Sequence, residues 1–299
     1  MNLNKMGLFL IVASIGLGVL FSILLSQNGK SIKMTPSVRT PKVLLHCNFY
    51  NEKDFISSVE QAKEYHLGEK HILGGVTPHH LLAGKLIASF FRAVSKSKPD
   101  FVVIIAPNHK GVGTKNIQTG GWDWDTPFGI LKGDLEMAGF LIATKKAEMD
   151  EKVLQQDHSI AGLIPYVKYY MPDAKVLPIL VRGAMGIDSA AELGASIPKL
   201  FAGKKYVIIA SVDFSHYLTL READVKDDET LKTIKSGNLN KIAMFGNDNM
   251  DSPPSIITLL SAMRAADASS FRVLEHSNAG RIAKLKSDST TSYFTIVWS

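Results

Sequence analysis

Residues 101–106 and 206–210 are apolar at every position, with Asp100 and Lys205 before them and Pro107 and Ser211 after them. Runs this short suit strands buried on both faces of a parallel sheet rather than helices. Residues 72–76 and 175–181 form two further strand-like stretches, and 271–275 and 292–298 close the chain in the same way. Between them the apolar period becomes helical, over 81–94, 160–170, 190–201, 229–234 and 256–265. Alternating strands and helices predict an α/β fold: one domain, 43–299, with a mixed or parallel central sheet flanked by helices. Internal repeats and low-complexity tracts are absent from the sequence.

The N-terminus follows another pattern. Residues 7–25 are almost unbroken apolar, preceded by Lys5 and followed by Ser26, Gln27, Asn28, Gly29 and Lys30. About 20 apolar residues let one helix cross a bilayer. The stretch is longer than the core of a cleaved signal, and no small-x-small cleavage site follows. Residues 1–27 are therefore expected to be a transmembrane signal anchor, and 28–42, with Pro36 and Pro41, a linker. Lys30, Lys33, Arg39 and Lys42 outnumber Lys5, which favours a cytoplasmic domain by the positive-inside rule. N-terminal anchors often run the other way, and the expectation adopted is a single-pass membrane protein with an extracytoplasmic domain.

Composition narrows the function classes. A hydrophobic share of 45% and a charged share of 21% are ordinary for a globular chain with an ample core. The net charge of +6 is spread over scattered lysines without interleaved aromatics, so nucleic acid is not an expected partner. Cys47 is the only cysteine, which excludes intrachain disulfides and cysteine-based zinc sites.

Histidines cluster where the strand-like runs end. Thr77-Pro78-His79-His80 follows 72–76, Ala106-Pro107-Asn108-His109 follows 101–105, and Ser211-Val212-Asp213-Phe214-Ser215-His216 follows 206–210. In an open α/β sheet, residues just past the carboxyl ends of strands gather at one edge, where ligands bind. Imidazole is a common ligand for iron, copper and zinc and titrates nearest neutral pH. For His79 or His80 the plain alternative is a helix cap or a bond to a backbone carbonyl. Asp213 and His216 are three apart, so one turn would bring carboxylate to imidazole as a proton-transfer couple, a ligand pair or a supporting pair. The alternative is an Asp helix cap beside an incidental His. In Asp157-His158-Ser159, Asp157 or Ser159 reads as a helix N-cap, and His158 at the helix start would be held neutral.

The aromatic stretch from Trp122 to Gly129 either walls a ligand or packs a loop onto the core. A phosphate loop, a dinucleotide fingerprint and a Gly-x-Ser-x-Gly elbow are all absent from the sequence.

Taken in order, Thr-Pro-His79, Ala-Pro-Asn-His109, Trp124-Asp-Thr-Pro-Phe-Gly129, Asp-His158-Ser-Ile and Ser-Val-Asp213-Phe-Ser-His216-Tyr resemble the Memo family. Its prokaryotic members are called AmmeMemoRadiSam system protein B, and the resemblance runs from about Gly74 to the end. It implies a fold similar to class III extradiol dioxygenases, which hold non-haem iron with two histidines and a carboxylate. The matching Memo pocket has two histidines and a cysteine. By motif His79 and His109 correspond to the histidines, and Asp213 and His216 to the Asp-Phe-x-His segment of the same pocket. Placing Leu259-Leu260-Ser261-Ala262 on the family's helix without gaps sets Asp251 where the cysteine stands. Ala161 replaces the Glu usual in relatives.

The resemblance thus implies metal ligands His79, His109 and Asp251, with Asp213, His216 and His158 as catalytic residues. The cofactor would be a divalent metal, Fe(II) or copper, and the activity redox or dioxygenase-type. The family name also implies radical-SAM and AMMECR-type partner proteins. The rival expectation is a non-catalytic module that binds a peptide or small ligand against the aromatic 122–128 loop.

Overall fold

The two all-apolar runs lie side by side at the middle of one mixed sheet. The computed structural model describes residues 44–68, 71–284 and 289–299. Its strands are β1 (Leu44–His46), β2 (Gly74–Thr77), β3 (Phe101–Pro107), β4 (Ile117–Thr119), β5 (Asp123–Thr126) and β6 (Gly129–Gly133). They continue with β7 (Ala147–Met149), β8 (Lys175–Val181), β9 (Tyr206–Ser211), β10 (Phe214–Leu218), β11 (Phe271–Asn278) and β12 (Thr290–Trp298). The order is β1-β5-β6-β8-β3-β9-β2-β12-β10, with β11 on β12 and β4 bridging β7 and β8. From β6 to β2 neighbouring strands are parallel. The antiparallel β12 then joins β2, with β10 and β11 antiparallel to it.

Strand alternation sorts the central side chains into two cores. Val103, Ile105, Ile208 and Ala210 enter one cluster, packed with helices Ile187–Leu200 and Pro253–Ala265. Val102, Ile104, Val207 and Ile209 enter the other, packed with helices Gly84–Ser95 and Ile164–Tyr170. Burial on both faces explains why these strands read as unbroken apolar runs rather than alternating ones. The helices Ile187–Leu200 and Pro253–Ala265 meet closely at Gly194. A Cβ there would stand 2.2 Å from the Thr258 carbonyl oxygen, so only glycine admits this approach.

Several boundaries differ from the sequence expectation. The helix expected over 160–170 is two pieces, His158–Ala161 and Ile164–Tyr170. The one expected over 229–234 is the end of a longer helix, Leu220–Ser236, started by a capping box between Thr219 and Glu222. The expected anchor 1–27 and linker 28–42 lie outside the described residues. Among the described residues no helix is long and apolar enough to cross a membrane. The longest of them, Leu220–Ser236, has 17 residues and is rich in charge, against about 20 apolar ones for a span. The expected membrane localisation, with its extracytoplasmic orientation, is corrected accordingly.

Candidate metal centre

The carboxyl ends of β2, β3 and β9 build the site. Thr77 and Ser211 are register partners that end β2 and β9, and Ile105 pairs with Ala210 just before the end of β3. His79, His109 and Asp213 each follow these strand ends by two residues. The sheet therefore delivers three short motifs to one edge, where open α/β sheets bind ligands.

His79 is 1% exposed. Its Nδ1 lies 3.1 Å from Ser211 Oγ, and that hydroxyl donates to the Ser159 carbonyl at 2.6 Å. With its proton committed, Ser211 accepts from Nδ1–H, which leaves the neutral ring's lone pair on Nε2. That Nε2 faces two carboxylates, Asp251 Oδ2 at 3.2 Å and Asp213 Oδ2 at 3.6 Å. Burial alone would lower the pKa of this imidazole, but Asp213 and Asp251 outweigh it and raise the value to about 9. The position between Nε2 and Asp251 is thus one that a proton or a metal cation stabilises.

His109 is partly exposed and fixed by Asp157. Its Nδ1 donates to Asp157 Oδ1 at 2.8 Å and its backbone N–H to Oδ2 at 2.9 Å. This leaves Nε2 toward Asp251, 3.9 Å from Oδ2. A buried carboxylate holding the far nitrogen of a ligand histidine sets its tautomer and raises its basicity. Asp157 also accepts from the Ser159 N–H and hydroxyl, and so starts helix His158–Ala161. Burial disfavours its charge, yet the hydrogen bonds from His109 and Ser159 prevail and hold it at about 2.

His158 stacks on His109, with ring centroids 4.4 Å apart, and meets His79 edge-on at 5.1 Å. Burial and then the neighbouring imidazoles push its pKa down to about 4, so it is neutral, as expected for a different reason.

Asp251 reaches the site from 38 residues beyond Asp213 because the two backbones are tied. Its N–H donates to the Asp213 carbonyl at 3.1 Å, and the Asp213 N–H faces Asp251 Oδ2 at 3.4 Å. Ser252 then caps helix Pro253–Ala265, which anchors the segment in the core. Asp213 Oδ1 accepts from the His79 N–H at 3.0 Å.

Two potential ligand groups share His79: His79, His109 and His158, and His79, Asp213 and Asp251, each with ligand atoms within 4.8 Å of one another. Asp251 Oδ1 is buried and has no hydrogen-bond partner among the described residues. Buried carboxylate oxygens are rarely left so, and a bound cation satisfies one directly. Imidazole nitrogens with carboxylate oxygens suit Fe, Cu or Zn. The donor set fits a divalent transition metal.

The expected turn joining Asp213 to His216 is not formed. Phe214–Leu218 is an irregular strand paired with β12, so the segment after Asp213 runs extended instead of turning back. Among the described residues no hydrogen bond or ion pair links His216 to Asp213; its N–H donates to the Asn247 carbonyl at 2.8 Å. Trp122 and Trp124 are buried in the second core, and Phe128 packs on Phe55, Tyr50 and Tyr169. The aromatic stretch therefore packs a hairpin onto the body. Ala161 is fully buried among apolar residues, and Cys47 is a free thiol whose pKa burial and Asp125 raise to about 12. Sequence reasoning missed Ser211 and the orienting role of Asp157, because a Ser in a strand end and an Asp before a helix both read as local backbone chemistry.

A family model described as "Memo-like protein" matches residues 50–297. A MEMO1 family protein of Pyrobaculum aerophilum is 29% identical over 280 residues, covering 87% of this chain and 99% of the relative. Another, of Methanosarcina acetivorans, is 31% identical over 259 residues, covering 83% and 92%. Among solved structures, an uncharacterised protein of Escherichia coli K12 superposes with a TM-score of 0.52 at 15% identity, over 75% of this chain and 99% of that one, a likeness of fold alone. With its strand-end histidines and a family match across nearly the whole described domain, the chain belongs to the Memo family.

Proposed function

We propose that His79, His109 and Asp251 hold a divalent metal, Fe(II) before copper, and that the protein performs redox chemistry of the dioxygenase type. The carrying observation is the convergence of three uncommitted donors. Both Nδ1 atoms are spent on Ser211 and Asp157, both Nε2 atoms face Asp251, and Asp251 Oδ1 is buried without a hydrogen-bond partner among the described residues. Two histidines and one carboxylate form a set suited to Fe(II) with positions left for substrate and O₂. A carboxylate in place of the family's thiolate shifts the preference away from softer ions. When bound, the metal supplies the capacity to orient substrate and activate oxygen.

The chain's own groups supply the rest. Ser211 and Asp157 hold the two rings in one tautomer and orientation. Asp213 spends Oδ1 on the His79 N–H and keeps Oδ2 directed at the site, where it serves as a proton acceptor. The rival ligand-binding module loses support because Trp122 and Trp124, two of the three aromatics of its proposed wall, lie in the core. The family name extends the proposal to radical-SAM and AMMECR-type partners, which co-purification from the native host tests.

Metal content of purified wild type against Asp251→Ala is the direct test. The expected result is near one metal per wild-type chain and a loss of tenfold or more in the variant, on the order of the effect of altering a metal's supporting shell. Equal content refutes the ligand set. Oxygen consumption by Fe(II)-loaded protein over a panel of catechol-like compounds tests the reaction class, and a flat response refutes it.

A further inference from the structure

We propose that His158 is a third imidazole ligand at this centre, giving the metal His79, His109, His158 and Asp251; the inference rests on the metal reading above. A ring nitrogen of His158 lies within 4.8 Å of those offered by His79 and His109. Among the described residues no hydrogen bond commits either nitrogen of the His158 ring, and its nearest charged neighbour is Asp157 Oδ1, 4.0 Å from Nδ1. The ring stacks on His109 at 23° between planes, meets His79 at 77° and leans against Phe49 at 5.9 Å, and it joins His109 on one ion by turning out of that stack about its side-chain torsions.

One carboxylate sets two of the three rings. Asp157 bonds the side chain and backbone of His109, and by capping helix His158–Ala161 it fixes the backbone from which His158 projects. The His158 side chain is 42% exposed, so the nitrogens that the protein leaves unbonded are open to an incoming ion. Three imidazoles with one carboxylate select iron, copper or zinc and reject Mg²⁺ and Ca²⁺, which demand oxygen-rich shells.

Cu(II) and Zn²⁺ serve as probes on the full chain. The nitrogen hyperfine pattern of the Cu(II)-loaded wild type is expected to report three coupled nitrogens, and His158→Phe, which keeps an aromatic ring on His109, two. Zn²⁺ affinity, read by competition with a chromogenic chelator, is expected to fall tenfold or more in both His158→Phe and His158→Ala. A wild-type pattern of two nitrogens overturns the inference without any variant, as does unchanged Zn²⁺ affinity in a folded variant. Failure of the wild type to take up either ion overturns the metal reading and this inference together. Loss of binding in Asp251→Ala but not in the His158 variants overturns this inference alone.

Discussion

Asp157 Oδ1 lies 2.8 Å from His109 Nδ1, and the same carboxylate caps the helix that begins at His158. One buried side chain therefore couples the start of a helix to the orientation of the His109 ring. Asp157→Ala is expected to weaken metal binding about 10–100-fold, the usual cost of losing a supporting partner of a ligand histidine. It is also expected to cost about 0.5–2 kcal/mol for the lost cap. Zn²⁺ titration and urea denaturation check the two parts separately; an unchanged affinity refutes the orienting role.

Ser211 mediates between His79 and the Ser159 carbonyl. Ser211→Ala removes an acceptor from one buried group and a donor from another. Each group left unsatisfied costs about 1–3 kcal/mol. A lowered urea midpoint together with weaker Zn²⁺ binding is the expected result. A variant as stable as wild type shows that the tautomer of His79 is set otherwise.

Gly194 tests the packing that carries Asp251. A Cβ there meets the Thr258 carbonyl at 2.2 Å and the Ser261 side chain at 2.8 Å, so the helices Ile187–Leu200 and Pro253–Ala265 must separate. Gly194→Ala is expected to destabilise by about 1–3 kcal/mol despite its better helix propensity. Thermal melting shows this as a drop of about 2–4 °C per kcal/mol. A rise in Tm refutes the close approach.

Glu148 gives the stability a pH dependence away from the metal centre. It accepts bonds from the Thr114 N–H and hydroxyl, the Lys115 N–H and Gln118. Burial opposes its charge, but these bonds, the Thr114 hydroxyl first, lower its pKa to about 2. The folded value lies below the unfolded one, so the stabilisation is complete above about 4.5 and is lost as pH falls toward about 2. The stability difference between wild type and Glu148→Gln is expected to stay constant from neutral pH to about 5 and to shrink below that. A difference independent of pH down to 3 refutes this role.

The apolar runs made the central strands legible, because parallel strands covered on both faces leave no polar position to obscure them. The site's His79 and His109 were legible for a related reason: polar residues at the end of a buried run stand out. Helix Leu220–Ser236 was only partly legible, since its exposed surface holds mostly charged residues and its start is signalled by a capping box rather than by periodicity. The Asp213-to-His216 spacing misled because it suits a turn, whereas the segment pairs with β12 as a strand. The Trp122–Gly129 stretch was ambiguous until Trp122 and Trp124 proved buried, since the same side chains wall ligands and fill cores.

Short-range pattern thus determined the fold class, the central strands and which histidines lie at strand ends, because local periodicity records which faces are buried. It could not determine which side chains share one ion's reach. Whether Asp157 is a cap or the partner of His109, whether His216 faces Asp213, and how Asp251 comes to lie 3.2 Å from His79 are decided by register and helix packing. Asp157 and His109 are 48 positions apart, and Asp251 and His79 are 172. No local pattern encodes a distance of that kind, because it is set by the free energy of closing two cores around one sheet.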